Sequence, residues 1–303
     1  MMADVITIGE TMAVVYPQQP VTLDLASAAL LDVAGAESNV AIRLRQLGHS
    51  VAFISRVGDD PFGRMIRAAL DGFGVQTDWL TVDAQAQTGV FFREALPDGA
   101  RRVYYYRAAS AASRLSPADL NAAQFHGARV VHLTGITPAL SESCAATVRA
   151  AIALGRRAGA TIAFDPNYRA KLWSPEVARA ALLPLLGEVD LLLLGHEDAV
   201  ALFGSDDEAA VAAAAQRFGI GTVVLKLAER GALALRGGQR VARSAVPVDR
   251  VVDPVGAGDA FDAGFLAGLL RGYELERCVD LGNRCGAIAV AHLGDYAGEL
   301  EAG

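Results

Sequence analysis

In Asp253-Pro254-Val255-Gly256-Ala257-Gly258-Asp259-Ala260-Phe261, two glycines flank an alanine, a carboxylate follows at once, and an apolar run from Ala263 to Leu270 continues the segment. A glycine turn opening into a helix leaves backbone N–H groups without intrahelical acceptors. Those groups point outward and bind phosphate oxygens. A carboxylate beside such a site repels phosphate unless it has work of its own, such as taking the proton from an attacking hydroxyl. A first-turn acid favoured by the helix dipole would account for Asp259, but not for Gly256 and Gly258 beside it.

A turn of this kind needs a rigid scaffold, and the rest of the chain reads as one. Val5-Ile6-Thr7-Ile8 followed by Gly9-Glu10 suits a buried strand whose end opens on a site. Residues up to Val33 give no clear pattern. Ala34-Gly35-Ala36-Glu37-Ser38-Asn39 then starts a helix carrying Val40, Leu44 and Leu47 and stopped by Gly48. Its glycine-rich polar start suits ligand hydroxyls, and equally an ordinary cap. A second strand, Val51 to Ile54, precedes a helix capped by Asp60 with Pro61 behind it. The alternation of strand and helix is that of a parallel sheet covered by helices.

From Thr88 the pattern changes. Two β-rich runs, Thr88 to Glu94 and Arg101 to Arg107, flank Leu96-Pro97-Asp98-Gly99 and read as a hairpin. Tyr104 and Tyr106 share one face, while Val103, Tyr105 and Arg107 share the other. That suits a lid over a small polar ligand, pairing with a second copy of the chain, or plain cross-strand aromatic packing. Further strands follow at Arg129 to Leu133, Thr161 to Phe164, Asp190 to Leu194 and Thr222 to Lys226, with a helix from Ser141 to about Ala158. Asp165-Pro166-Asn167-Tyr168-Arg169 leaves one strand end, where α/β sheets bind ligands, although Arg169 could also pair with a surface acid. Gly195-His196-Glu197-Asp198 leaves another, as cap or as water-mediated metal contact. Lys226 to Gly231 is a loop that could lie along a nucleotide, and two short β-like runs, Ala232 to Leu235 and Arg240 to Val246, come next. The final helices are read as Asp262 to Leu270 and roughly Leu275 to Ala291.

Composition narrows the function classes. Over 303 residues, 52% hydrophobic and 20% charged content with dispersed glycines suits one compact α/β core with a small insertion. A net charge of -7 without a basic run argues against nucleic acid. Cys144, Cys278 and Cys285 lack metal-ligand spacing, and an odd count suits a reducing compartment. Met1-Met2-Ala3-Asp4 has no basic start of a signal peptide, and no apolar run is long enough for a bilayer. The expectation is a soluble, cytoplasmic protein with neither membrane nor nucleic-acid partner. A dinucleotide-binding oxidoreductase would need Gly-x-Gly-x-x-Gly at the first strand, and a P-loop enzyme Gly-Lys-Ser/Thr; neither is present.

Taken together these segments resemble the ribokinase-like, phosphofructokinase-B type family of carbohydrate kinases over nearly the whole chain. Asp253 to Phe261 is similar to its C-terminal signature, and Ala34 to Asn39 with Gly48 and Gly58 to its N-terminal one. Within the family, Tyr104 to Arg107 with Ser110 to Ser113, Thr134 to Leu140, and Asp165 to Arg169 ending in Leu172-Trp173-Ser174-Pro175 resemble the kinases of 2-keto-3-deoxygluconate.

The resemblance implies a three-layer α/β/α fold in one domain, 1–303, with a β-sheet lid from about 11–34 and 88–109; the aromatics of that lid suggest a homo-oligomer paired through it. It implies ATP and Mg²⁺, with the γ-phosphate over Gly256, Ala257 and Gly258 and Asp259 as base for a sugar hydroxyl. Gly35, Asn39, Tyr105, Arg107 and Arg169 would hold a sugar acid, its carboxylate met by the two arginines; a neutral sugar such as fructose or ribose is the alternative acceptor. Lys226, Gly231 and Asn283 would face the nucleotide, and a monovalent cation such as K⁺ would sit near Asp253. Where many relatives carry Asn-x-x-Glu after the central strand, this chain has Gly195 and Asp198, which keeps the charge for a water-mediated metal contact on a shorter arm.

Overall fold

The structure, a computed structural model, describes residues 2–96, 101–296 and 298. Its strands are β1 (Val5–Ile8), β2 (Met12–Pro17), β3 (Ala29–Ala34), β4 (Val51–Gly58), β5 (Leu80–Asp83), β6 (Val90–Ala95), β7 (Arg101–Tyr106), β8 (Val130–Thr134), β9 (Thr161–Asp165), β10 (Leu191–Gly195), β11 (Thr222–Lys226), β12 (Ala232–Arg236) and β13 (Gln239–Arg243). The α-helices are α1 (Ala36–Gln46), α2 (Pro61–Gly72), α3 (Ala122–Phe125), α4 (Ile136–Leu140), α5 (Glu142–Ala158), α6 (Pro175–Leu182), α7 (His196–Phe203), α8 (Glu208–Phe218), α9 (Ala257–Leu270) and α10 (Leu275–Val290).

Nine strands form one sheet in the order β13-β12-β11-β10-β9-β8-β1-β4-β5. From β11 to β5 all neighbours are parallel, and the β11–β12 and β12–β13 pairings at one edge are antiparallel. Apolar runs such as Leu191 to Leu194 explain the burial on both faces. Leu191 and Leu193 enter one core cluster with Val40, Leu44, Ile66, Phe265 and Cys278, whereas Leu192 and Leu194 enter another with Val148, Ile152, Leu182 and Leu202. Helices α1, α2, α9 and α10 therefore cover one face and α5 to α7 the other, the expected α/β/α layering.

A second sheet, β3-β2-β6-β7, stands apart with its own small core of Met12, Val14, Tyr16, Ala34 and Phe91. Its strands lie in 12–34 and 90–106, inside the two segments expected to build the lid. The patternless segment before Val33 thus holds β2 and β3. The expected turn at Leu96-Pro97-Asp98-Gly99 falls at residues 97–99 outside the described residues.

One boundary correction bears on the site. The helix expected from Asp262 begins at Ala257, so the glycine-rich stretch is itself the first helical turn. Gly256 is the residue before it, at φ 78°, and a Cβ there would lie 2.6 Å from the carbonyl oxygen of Asp295. Both the left-handed backbone and the close approach exclude any other residue. No helix among the described residues is long and apolar enough to cross a membrane.

Candidate active site

Asp259 is the third residue of α9 and is buried, with 8% of its surface exposed. Ala257 N–H bonds the carbonyl of Pro254 at 3.3 Å, and Ala260 N–H that of Gly256 at 2.8 Å. Of the N–H groups in this first turn, those of Gly258 and Asp259 lack acceptors among the described residues. Two converging N–H groups at a helix N-terminus fit a phosphoryl oxygen.

Asn39 on α1 reaches across to this turn. Its Nδ2 donates to Asp259 Oδ2 at 2.8 Å and to Asp295 Oδ2 at 3.3 Å. Gly35, just before α1, lets the chain pass so close to β1 that a Cβ would lie 2.2 Å from the carbonyl oxygen of Glu10. Glu10, at the end of β1, forms an ion pair with Arg107 and accepts from Ser110 Oγ at 2.5 Å. Tyr105 lies under Arg107 and Lys171, whose charges stand 5.6 and 5.9 Å from its ring centre. Lys171 Nζ also donates to the carbonyl of Val103 at 2.7 Å, tying the loop after β9 to β7. Gly35, Asn39, Tyr105, Arg107 and Asp259 are thus joined by a chain of contacts.

Arg169 completes the set differently. It is exposed, its side chain has no hydrogen bond or ion pair among the described residues, and its charge acts on Asp259. Asp198 fixes the loop that carries it: Oδ1 accepts from Tyr168 N–H and Oδ2 from Gly195 N–H, both at 2.6 Å. Burial and the neighbouring Asp165 push Asp198 up to about 6. Asp198, considered as a water-mediated metal contact, has each oxygen on a backbone donor, one of them the N–H of Tyr168 beside Arg169.

Lys226, expected along the nucleotide, has its ammonium in a buried acidic nest. Nζ lies 2.9 Å from Asp165 Oδ2 and 2.9 Å from Asp262 Oδ1, and a Cβ on Gly258 would lie 3.6 Å from it. Burial works against its charge, but Asp165, Asp262 and Asp198 outweigh burial and raise its pKa. Of the two close partners, burial drives Asp262 well upward despite Lys226, while Lys226 overcomes burial at Asp165 and holds it down. The lysine is a counter-charge beneath the turn. Gly231 and Asn283 meet at another wall: a Cβ on Gly231 would lie 2.6 Å from the Ser244 carbonyl carbon, and Asn283 Nδ2 donates to Ser244 O at 3.1 Å.

Asp253 is 1% exposed. Its Oδ1 accepts from Arg101 Nη1 at 3.0 Å and from Val255 N–H at 3.2 Å, and its Oδ2 faces Arg93 Nη2 at 3.3 Å. Arg93 also donates to Asp295 Oδ1 at 2.9 Å. No group of three or more His, Cys, Asp or Glu side chains among the described residues could hold a metal ion. Mg²⁺ is commonly held by one or two carboxylates together with phosphate oxygens and water, a donor set that needs no such group.

Sequence reasoning passed over Glu10, Arg93, Asp262 and Asp295 as site residues. Asp262 carried a signal, since three residues after Asp259 it shares a helix face with it. Glu10 carried another, as an acid at the end of a buried strand. Arg93 and Asp295 carried none, because only the fold brings the second sheet and the segment after α10 to one point.

Burial, with Asp165 and Asp262 nearby, raises Asp259 to about 7 against the pull of Asn39 and Arg169. A carboxyl titrating there can accept a proton at neutral pH and return it, as a general base requires.

The family model for pfkB family carbohydrate kinases matches residues 2–302. Among curated relatives, the chain is 35% identical to the 2-dehydro-3-deoxygalactonokinase of Haloferax volcanii, over 98% of this chain and 94% of that protein. It is also 35% identical to the 2-dehydro-3-deoxygluconokinase of Bacillus subtilis, over 98% of this chain and 93% of that one. A solved putative ribokinase II from E. coli in complex with ATP and Mg²⁺ superimposes with a TM-score of 0.90 at 25% identity, covering 99% and 96% of the two chains. With its fold, its glycine turn and its full-length matches agreeing, the chain belongs to the pfkB family of carbohydrate kinases.

Proposed function

We propose that the chain transfers the γ-phosphate of ATP to the terminal, C6 hydroxyl of 2-keto-3-deoxygluconate, giving 2-keto-3-deoxy-6-phosphogluconate. The observation that carries the acidic substrate is Arg169: an exposed guanidinium without an ion-pair partner among the described residues, whose field reaches Asp259. A carboxylate at one end of the sugar would bind there while the hydroxyl at the other end meets Asp259.

ATP supplies the phosphoryl group, and Mg²⁺ balances its charge. Asp259 takes the hydroxyl proton on a carboxylate oxygen while Asn39 holds Oδ2, so the sugar oxygen attacks in line. The N–H groups of Gly258 and Asp259 accept the charge gathered on the transferred oxygens, and Lys226 adds a positive field below them. Gly231 and Asn283 line the nucleotide side. The exposed faces of Tyr104, Tyr105 and Tyr106 support the second sheet as lid and as the surface for a second copy.

Because Asp259 acts ionised, kcat/KM should rise about tenfold per pH unit below about 7 and level off above it. A profile already flat at pH 6 would remove Asp259 as the base.

The sugar is tested by phosphotransfer to 2-keto-3-deoxygluconate, its C4 epimer, fructose and ribose side by side. Arg169→Ala should raise KM for the acids by roughly 10- to 100-fold, the loss of one charge-assisted pair, and leave the neutral sugars unchanged. Unchanged selectivity would refute the carboxylate assignment. The neutral-sugar reading has one observation in its favour, the engagement of Arg107 by Glu10, which leaves Arg169 alone to meet an acid.

A further inference from the structure

The resemblance to the family brings with it a monovalent cation beside Asp253, and the residues present do not fit one. Asp253 lies six residues before Asp259, at the entry to the glycine turn. An ionised carboxylate buried there needs a counter-charge. Here two guanidinium groups supply it, Arg101 at 3.0 Å from Oδ1 and Arg93 at 3.3 Å from Oδ2. Arg93 also meets Asp295 at 2.9 Å, so Arg93, Arg101, Asp253 and Asp295 sum to zero charge. Arg101 further donates through Nη2 to the carbonyl of Val252 at 2.9 Å, occupying a backbone oxygen beside Asp253 as well. A cation entering this cluster would meet Asp253 Oδ1 already bonded to nitrogen and Oδ2 in charge contact with Arg93 Nη2 at 3.3 Å, though without a hydrogen bond, and would place a surplus positive charge in a buried, balanced group. Both the lost solvation of the ion and repulsion from the arginines oppose it.

We propose that Arg93 and Arg101 take the place of a monovalent cation at the catalytic turn, so that phosphotransfer by this protein does not depend on K⁺. Both arginines project from the second sheet, Arg93 from β6 and Arg101 from β7, and so the turn receives its counter-charge from the sheet that covers it.

The test compares KCl with tetramethylammonium chloride at equal ionic strength, following ADP formation and, independently of any sugar, the melting temperature of the ATP–Mg²⁺ complex. The wild type is expected to show rates within about twofold and melting temperatures within about 1 °C in the two salts. Activation by K⁺ of about fivefold or more, or a K⁺-specific rise in melting temperature of more than about 2 °C, would overturn the proposal. Arg101→Met removes one guanidinium from a partly exposed position. It should make both readouts respond to K⁺, while Arg101→Lys stays indifferent. An Arg101→Met protein whose rate and melting temperature ignore K⁺ would equally overturn it. Failure of the proposed sugar would show as inactivity in both salts, leaving the melting comparison to decide the cation question.

Discussion

Replacing Asp259 by Asn is expected to lower kcat at least about a thousandfold while ATP–Mg²⁺ still binds, because the amide keeps the side-chain volume but cannot take a proton. The binding half follows from the position of Asp259: in the proposed complex phosphate oxygens would be held by backbone N–H groups, which the substitution leaves in place. Removing a carboxylate next to bound phosphate should, if anything, tighten nucleotide binding. Stability should move the other way from activity. The folded chain holds the Asp259 proton up to about 7, against a value of 3.8 for the free side chain. Between those values the folded form binds more protons than the unfolded one, so its stability falls as pH rises, and at pH 8 the ionised group destabilises the fold. Asp259→Asn relieves that by about 2 kcal/mol, allowing for relaxation, and should raise Tm by roughly 3 °C at pH 8 but not at pH 4. Titration calorimetry with ATP, single-turnover phosphotransfer and melting at both pH values measure the three effects. Activity above about 5% of wild type would end the case for Asp259 as base.

Lys226→Met carries the largest expected effect on folding. The lysine is the one cation within bonding distance of both Asp165 and Asp262 among the described residues, and both carboxyls are almost fully buried. His132, 3.9 Å from Asp262, does not replace it, because burial depresses its pKa and keeps the ring neutral. Without Lys226 two buried carboxyls face each other, and a broken buried pair costs about 3–5 kcal/mol. Tm should drop by roughly 5–8 °C, with the loss smaller at pH 5 as the carboxyls take up protons. A variant melting like the wild type at pH 8 would show that the acidic nest does not depend on the lysine.

The sequence showed the reaction more plainly than its supports. Asp259 and its glycines stand in one unbroken stretch, so the chemistry could be read locally, and β1 and β10 announced themselves as apolar runs. Where the reading slipped, tertiary contacts decided. Gly256 and Gly258 look like loop residues by propensity, yet α9 starts at Ala257 because the backbone of Asp295 packs against Gly256. Strands β2 and β3 are carried by the small core of Met12, Val14, Tyr16, Ala34 and Phe91, with Phe91 contributed from β6, far along the chain from both. Lys226 gives no local sign of its ion pairs with Asp165 and Asp262. Its two partners lie 61 residues before and 36 after it, out of reach of any local pattern.

The segment after α10 bears on how the molecule comes to life during synthesis. Asp295 blocks any side chain at Gly256, orients Asn39 and pairs with Arg93; Tyr296 bonds Asp32, and the carbonyl of Gly298 accepts from Arg43 at 2.9 Å. A nascent chain ending at Ala291 already contains all nine strands of the main sheet, both glycines of the turn and Asp259. It lacks Asp295, the second carboxylate to which Asn39 Nδ2 donates. Since domains fold from the N-terminus as they emerge, the sheet can assemble before Asp295, Tyr296 and Gly298 have left the ribosome, and the contacts these residues make with Asn39, Arg93, Asp32 and Arg43 form last.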